Sequence, residues 1–327
     1  MLRSSPRAQQ APTAPDADAA LHSWDGVSLD AWPALKAAAE RELGETADAH
    51  VQKPRELRAK LLALPEADRP KDLSDATLLR YLRGKKFRLD DACVPQRSAA
   101  AHTVPTCLHC CACAHAAHAR RLKVMVAAHR FESEHPEWLA DLRGEEFREM
   151  YASGFMRVLR GRDHVGRRVS LLLPMRFPEK GLDANIMMRW NFWSMRRLAK
   201  CPYLQVHGTV VMENFEVFSF AQAMRFNNSM PPAAMRANFY YMQKCAAYRL
   251  GGILVANQPV FMTFMWALVR PFMSAKMRSR VRLLGKDVDA FAREMDAALL
   301  PPEFGGTLQE DQMAWLEEQL ALEAAGK

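Results

Sequence analysis

The sequence predicts an α/β protein in which a helical N-terminal lobe precedes a lobe built on a largely parallel sheet. Three observations predict it. Leucines recur at helical spacing between Trp24 and Ala92. Beyond Glu145 short apolar runs alternate with longer helical ones. Those runs are almost continuously apolar, as strands covered on both faces are. With 327 residues, 49% of them hydrophobic, the chain can bury a substantial core. Its formal charge of +8 favours anionic partners, whether phospholipid headgroups, nucleic acid or acidic proteins.

The first 23 residues, rich in Ala, Pro and Gln and without apolar periodicity, are expected to be a disordered tail. The helical lobe is expected over 24–145. Leu57, Leu61 and Leu64, then Leu78, Leu79 and Leu82, supply its apolar stripes, and Ser74 or Asp75 can cap the last helix. Arg80, Arg83, Lys85 and Lys86 interleave with that stripe, so one side is buried and cations are offered on the other. A low-complexity insertion over 94–120, dominated by Ala, His and Cys, interrupts the lobe, and the helical pattern resumes at Leu122, Met125 and Phe131. Cys107, Cys110 and Cys113 with His109, His115 and His118 are soft metal ligands. They are packed almost side by side, whereas structural zinc sites space two pairs around a loop, so no metal and no other cofactor is expected. The clustering of cysteines is no disulfide framework, and a reducing, cytoplasmic setting is expected.

The second lobe is expected over 146–308, with strands at Val169 to Leu173, Thr209 to Met212, Gly252 to Ala256 and Val281 to Leu284. Helices are expected at Asn185 to Lys200, Pro232 to Lys244 and Val288 to Leu299. Before the first strand, Gly161 to Arg168 reads as a solvated turn. A C-terminal helix is expected over 309–327, packed on its own domain.

The most informative stretch runs from Tyr248 to Gly285. A buried strand is stopped at Asn257-Gln258-Pro259, and an apolar helix should follow, with Phe261, Phe264, Met265, Leu268, Val269, Phe272 and Met273 covering most of its circumference. Thirteen residues at about 1.5 Å each reach about 20 Å, short of a bilayer core of about 30 Å. Such a helix is either core or a movable cover that meets an apolar cavity on one side and a bilayer on the other. The residues after it favour the cover. Arg270, Lys276, Arg278, Arg280, Arg282 and Lys286 follow with no acid up to Lys286, and each cation near an anionic surface contributes about 1 kcal/mol. No RNA-binding signature or zinc-finger spacing accompanies them, so nucleic acid is not the expected partner. No nucleophile elbow, phosphate loop or paired catalytic carboxylates occur either, and no catalytic residue is expected.

Four segments in series, LLRYLRGKKFRLDDA (78–92), ILVANQPVF (253–261), VRPFMSAKMRSRVRLLG (269–285) and LPPEFGGTL (300–308), resemble the CRAL-TRIO lipid-binding family. The resemblance implies the CRAL-TRIO fold, whose sheet floors a lipid pocket beneath a mobile gate helix; Phe261 to Met273 falls where the gate belongs. It also implies a phosphoinositide-binding basic patch with Lys85, Lys276 and Arg280 at its positions. In the phosphatidylinositol-transfer branch an acid precedes the strand where this chain has Tyr248, which argues against inositol lipid as cargo. Glu213 stands where many relatives have Asp; it could bond polar cargo, but capping a neighbouring loop is the commoner role. The expected protein is a monomer that carries one hydrophobic lipid and exchanges it at anionic intracellular membranes, as a peripheral protein. The alternative is a regulatory scaffold that reports its cargo to a protein partner.

Overall fold

The computed structural model describes residues 33–87, 124–180, 182–309 and 311–326. The expected tail and the insertion over 94–120 lie outside them. In the N-terminal region α1 (Pro33–Leu43) buries Leu35, Ala38, Ala39 and Leu43 and stops at Gly44, whose φ of +71° is left-handed. Thr46 caps α2 (Ala47–Leu62) by accepting a hydrogen bond from the Ala49 amide, and Leu57 and Leu61 are completely buried. Ser74 does the same for α3 (Asp75–Gly84), which buries Leu78, Leu79 and Leu82. Helix α4 spans 124–134 and adds Met125 to this cluster and Phe131 to the core of the second lobe.

One of the four cations expected to face outward does not. Arg83 is buried, donates to both Glu45 carboxylate oxygens, at 2.9 Å from Nε and 2.7 Å from Nη2, and reaches Gln205 at 2.8 Å. Gln205 belongs to α6 (Pro202–His207), which follows α5 (Ala184–Lys200), so this ion pair ties the N-terminal helices to the second lobe. A buried charge is tolerable only when paired and hydrogen-bonded like this, and removing one partner of such a pair costs about 3–5 kcal/mol. Gly84 allows the same approach: a Cβ there would lie 2.3 Å from the Ala247 carbonyl oxygen.

The sheet has five strands in the order β1 (Met156–Arg162), β2 (Arg168–Leu172), β3 (Thr209–Asn214), β4 (Leu250–Ala256), β5 (Val281–Gly285). Strand β1 is antiparallel to β2 and all other pairs are parallel. Four strands match expectation to within two residues, whereas β1 was not foreseen, because Arg157 and Arg160 interrupt its apolar run. Between β1 and β2, the expected solvated turn is held by a buried acid: Asp163 accepts from the amides of Val165 and Arg167 and pairs with the Arg167 guanidinium.

Alternation sorts the strand residues onto two faces. Leu159, Val169, Leu171, Val210, Met212 and Leu254 pack beneath Phe291, Met295, Leu300 and Phe304. Here the expected helix from Val288 to Leu299 is replaced by two short turns, Asp289–Ala292 and Ala297–Leu299. Gly306 closes the layer, since a Cβ would lie 2.0 Å from the Leu300 carbonyl oxygen. The other face carries the site. The C-terminal helix is shorter than expected, Ala314–Ala324, and packs Trp315 and Leu316 on its own lobe.

Candidate functional site

Ser170 and Leu172 on β2, Val211 and Glu213 on β3, and Ile253 and Val255 on β4 share the second face by alternation. Over it lies α9 (Met262–Val269), continued by a 3-10 turn from Arg270 to Phe272. Met262 packs with Phe215, Phe218 and Val255, and Trp266 and Val269 pack with Leu250, Ile253, Met273 and Met277. The α-helix is therefore shorter than the thirteen residues expected, because Pro271 cannot extend it. No described side chain of this apolar helix is fully buried: Met262, Trp266 and Val269 are half-buried and Ala267 is exposed. The side chains of Phe264, Met265 and Leu268 lie outside the described ones.

The face beneath is not closely packed. Leu172, Val211, Glu213 and Ile253 lie on inner strands yet keep accessible surface. At Glu213 burial alone pushes the carboxyl up to about 7. Glu213 is thus deep in the molecule and still keeps accessible surface. Tyr81 and Tyr248 have the same character, with phenols raised first by burial and then by Tyr241. Contrary to the expectation that it caps a loop, the Glu213 side chain makes no hydrogen bond among the described residues. Its neighbour Asn214 has that role, donating to the Glu303 carbonyl at 2.6 Å and accepting from Glu216 N and Asn257 Nδ2, each at 3.0 Å. Asn257 itself turns the chain between β4 and α9 with a left-handed φ of 55°.

The three expected cations come together. The Lys85 ammonium is held below the usual lysine range, first by burial and then by Lys276, Lys244 and Arg280. Arg249 is held down by its own burial and then by Arg280, with Glu42 opposing, and it donates to the Val206 carbonyl. Among the described residues no carboxylate lies within ion-pair distance of Lys85, Lys244, Lys276 or Arg280. Arg282, from the same run, instead pairs with Glu294. Lys244 and Arg249 were not singled out in the sequence, because a lone cation between apolar residues carries no periodic signal.

The helix expected from Pro232 to Lys244 is α-helical only to Tyr240, α8 (Pro232–Tyr240), and continues as a π-helical turn, Tyr241–Cys245. Such turns recur at functional sites. This one offers Lys244 to the cation cluster and Gln243 to the end of α9. Gln243 donates to the Phe272 carbonyl and accepts from the Ser274 amide, both at 2.8 Å. The Phe272 ring lies 5.7 Å from the Arg236 guanidinium carbon. At the other end of α9, Phe261 meets Phe218 and Phe220, with centroids 6.2 and 5.7 Å apart. Val217 and Val260, with Phe220 and Met224 of α7 (Phe220–Ser229), form an exposed apolar tip there.

Residues 152–306 match the CRAL/TRIO domain. The chain carries a CRAL/TRIO domain. Proteins with this domain bind and transfer lipids. The similarity extends past it: the chain is 24% identical to Clavesin-1 of Pongo abelii over 297 residues, covering 88% of this chain and 74% of that one. It is 25% identical over 252 residues to the alpha-tocopherol transfer protein-like protein of Homo sapiens, covering 77% and 64%. The crystal structure of Sfh5 aligns with a TM-score of 0.45 at 11% identity, over 60% of this chain and 70% of that one. Among the described residues no helix is long and apolar enough to cross a membrane, and no cluster of metal-ligating side chains forms. The Cys/His-rich candidates for zinc lie outside those residues.

Proposed function

We propose that this CRAL/TRIO protein holds one hydrophobic lipid between the second sheet face and α9, and exchanges it at anionic membranes. The observation that carries the reading is the placement of α9 between two membrane-compatible surfaces. As the return segment between parallel strands β4 and β5, it starts at the exposed apolar tip and ends beside the cation cluster. Phe261, Phe264, Met265, Leu268, Val269 and Phe272 are the gate and pocket residues of this proposal. Lys85, Lys276 and Arg280 form its basic patch, widened by Lys244 and Arg249. Each like charge near Lys85 disfavours its ammonium, so an anion seated there relieves repulsion as well as forming new contacts. A phosphoinositide headgroup, with several phosphates in one plane, fits such a cluster better than a single charge.

The alpha-tocopherol transfer protein-like relative supports transfer as the outcome. Native mass spectrometry of the purified protein is expected to find lipid near one-to-one stoichiometry. In a vesicle assay, Lys276→Glu combined with Arg280→Glu is expected to slow transfer to phosphoinositide-containing vesicles about tenfold or more, and transfer to neutral vesicles by less than about twofold. Equal loss on both vesicle types refutes the patch. Tight lipid binding with no movement between vesicles favours the regulatory scaffold over the carrier.

A further inference from the structure

Strand β5 is an edge of the sheet, and among the described residues it pairs with β4 alone. In that parallel ladder the Ile253 amide donates to the Arg280 carbonyl at 2.9 Å, and Ile253 stands level with Val281. The bonds to β4 therefore involve Arg280, Arg282 and Leu284, and the N–H and C=O groups of Val281 and Leu283 point outward. None of those outward groups has a hydrogen-bond partner among the described residues. Leu283, level with Val255, has its side chain on the second face and is 57% exposed. Natural edges are guarded by a covering element or by charge, and an uncovered edge that shows an apolar side chain is a template for another strand. Cations flank this one: Arg278 and Arg280 precede the strand, Arg282 lies within it and Lys286 follows it. Of the acids beyond, Asp287 pairs with Arg293 and Glu294 with Arg167 and Arg282, which leaves Asp289 against Arg278, Arg280 and Lys286.

We propose that β5 receives an extended acidic segment of a partner protein as an added strand. Backbone bonds to Val281 and Leu283 hold it, an apolar side chain of the segment packs on Leu283, and its carboxylates meet the flanking cations. Charge decides the occupant. A second copy of this chain could offer either of its own sheet edges, and both are basic, since β1 carries Arg157, Arg160 and Arg162. Copy-to-copy pairing sets like charges side by side, which costs stability, whereas an acidic strand turns the same cations into attraction. A lipid headgroup would use the cations but leave the outward backbone groups and Leu283 without a partner. The inference stands apart from lipid exchange, because no residue of the sheet interior takes part in it.

Fluorescence anisotropy of a labelled short peptide of alternating glutamate and valine, titrated with the full chain at physiological salt, tests this. Two isomers of the peptide are compared with it, one N-methylated at every valine and the other at every glutamate. Valine beside Leu283 fixes which amides meet the edge: those of valine if the added strand is antiparallel, those of glutamate if it is parallel. One isomer is therefore expected to bind at least about tenfold more weakly than the unmethylated peptide, and the other within about threefold of it. A peptide of alternating lysine and valine should also bind at least about tenfold more weakly. Leu283→Pro deletes an outward donor that the sheet itself does not use, which an edge strand tolerates, so the variant should fold by circular dichroism and lose affinity for the peptide about tenfold. Should it fail to fold, the two methylated isomers decide on the wild type. Equal effects of the two methylations overturn the inference, since they mean attraction of charge without strand pairing. Absence of binding by the unmethylated peptide overturns it as well. So does a wild-type dimer in analytical ultracentrifugation that Leu283→Pro dissolves, because the occupant is then a second copy.

Discussion

Glu213 and Lys85 are ionisable groups shifted in opposite ways by the same cause. Burial disfavours the charged form of each, raising the carboxyl and lowering the ammonium. For Glu213 the consequence for stability has a definite sign. Its folded value of about 7 exceeds its ordinary 4.5, so the favourable contribution is complete below about 4.5 and is lost as the pH rises towards 7. Glu213→Gln in the lipid-free protein is therefore expected to be about 2 kcal/mol more stable than wild type at pH 8, after allowance for solvent at its accessible edge, and equal to it near pH 4. Urea unfolding at the two pH values checks this. A Gln variant that is less stable at pH 8 would mean that the carboxylate has a partner in solution. For Lys85 the lowering reflects crowding by Lys276, Lys244 and Arg280 as well as burial, and it is relieved by an anion rather than by deprotonation alone.

At the scale of elements, α9 is held at its end by one side chain. Gln243 bonds both the Phe272 carbonyl and the Ser274 amide, and it stands next to Lys244 on the same π-helical turn. In the proposed function, a headgroup drawn towards Lys244 would pull on the turn that holds the end of α9, linking patch and gate through two adjacent residues. Gln243→Ala removes the clamp without touching the cation cluster. It is expected to speed lipid release to neutral vesicles about threefold to tenfold, each lost hydrogen bond being worth about 1 kcal/mol, with little change in binding to anionic vesicles. An unchanged release rate would show that the end of α9 does not limit exchange.

At the scale of the molecule, α9 runs from the apolar tip towards the cation cluster, while the buried ion pair of Arg83 and Glu45 fixes the N-terminal helices that carry Lys85. In the proposed function, the two ends of α9 offer a bilayer two kinds of contact, one greasy and one electrostatic. Phe220→Glu combined with Val260→Glu is expected to reduce sedimentation with neutral and anionic vesicles alike, by about tenfold, whereas patch variants reduce only the anionic case. Unaltered vesicle binding by the tip variant would place the membrane contact elsewhere.

The sequence by itself determined the helical lobe, four of the strands, the family signatures and the gathering of cations after the apolar helix, because periodicity and composition act within a few residues of chain. Leu57, Leu61, Leu78 and Leu82 were legible for that reason, and so were Lys276 and Arg280. Only the tertiary structure decided which cations share one surface and which polar groups face the interior. Arg83 and Lys85 are two residues apart and read alike, yet one is buried against Glu45 and the other joins Lys276. Arg282 resembles Arg280 but pairs with Glu294, since Arg280 precedes β5 while Arg282 lies within it, and only the opposing layers say what each meets. Glu213 read as a loop cap because its partner residues were unknown; its isolation depends on Leu172 and Val255, which chain folding brings beside it from far along the sequence.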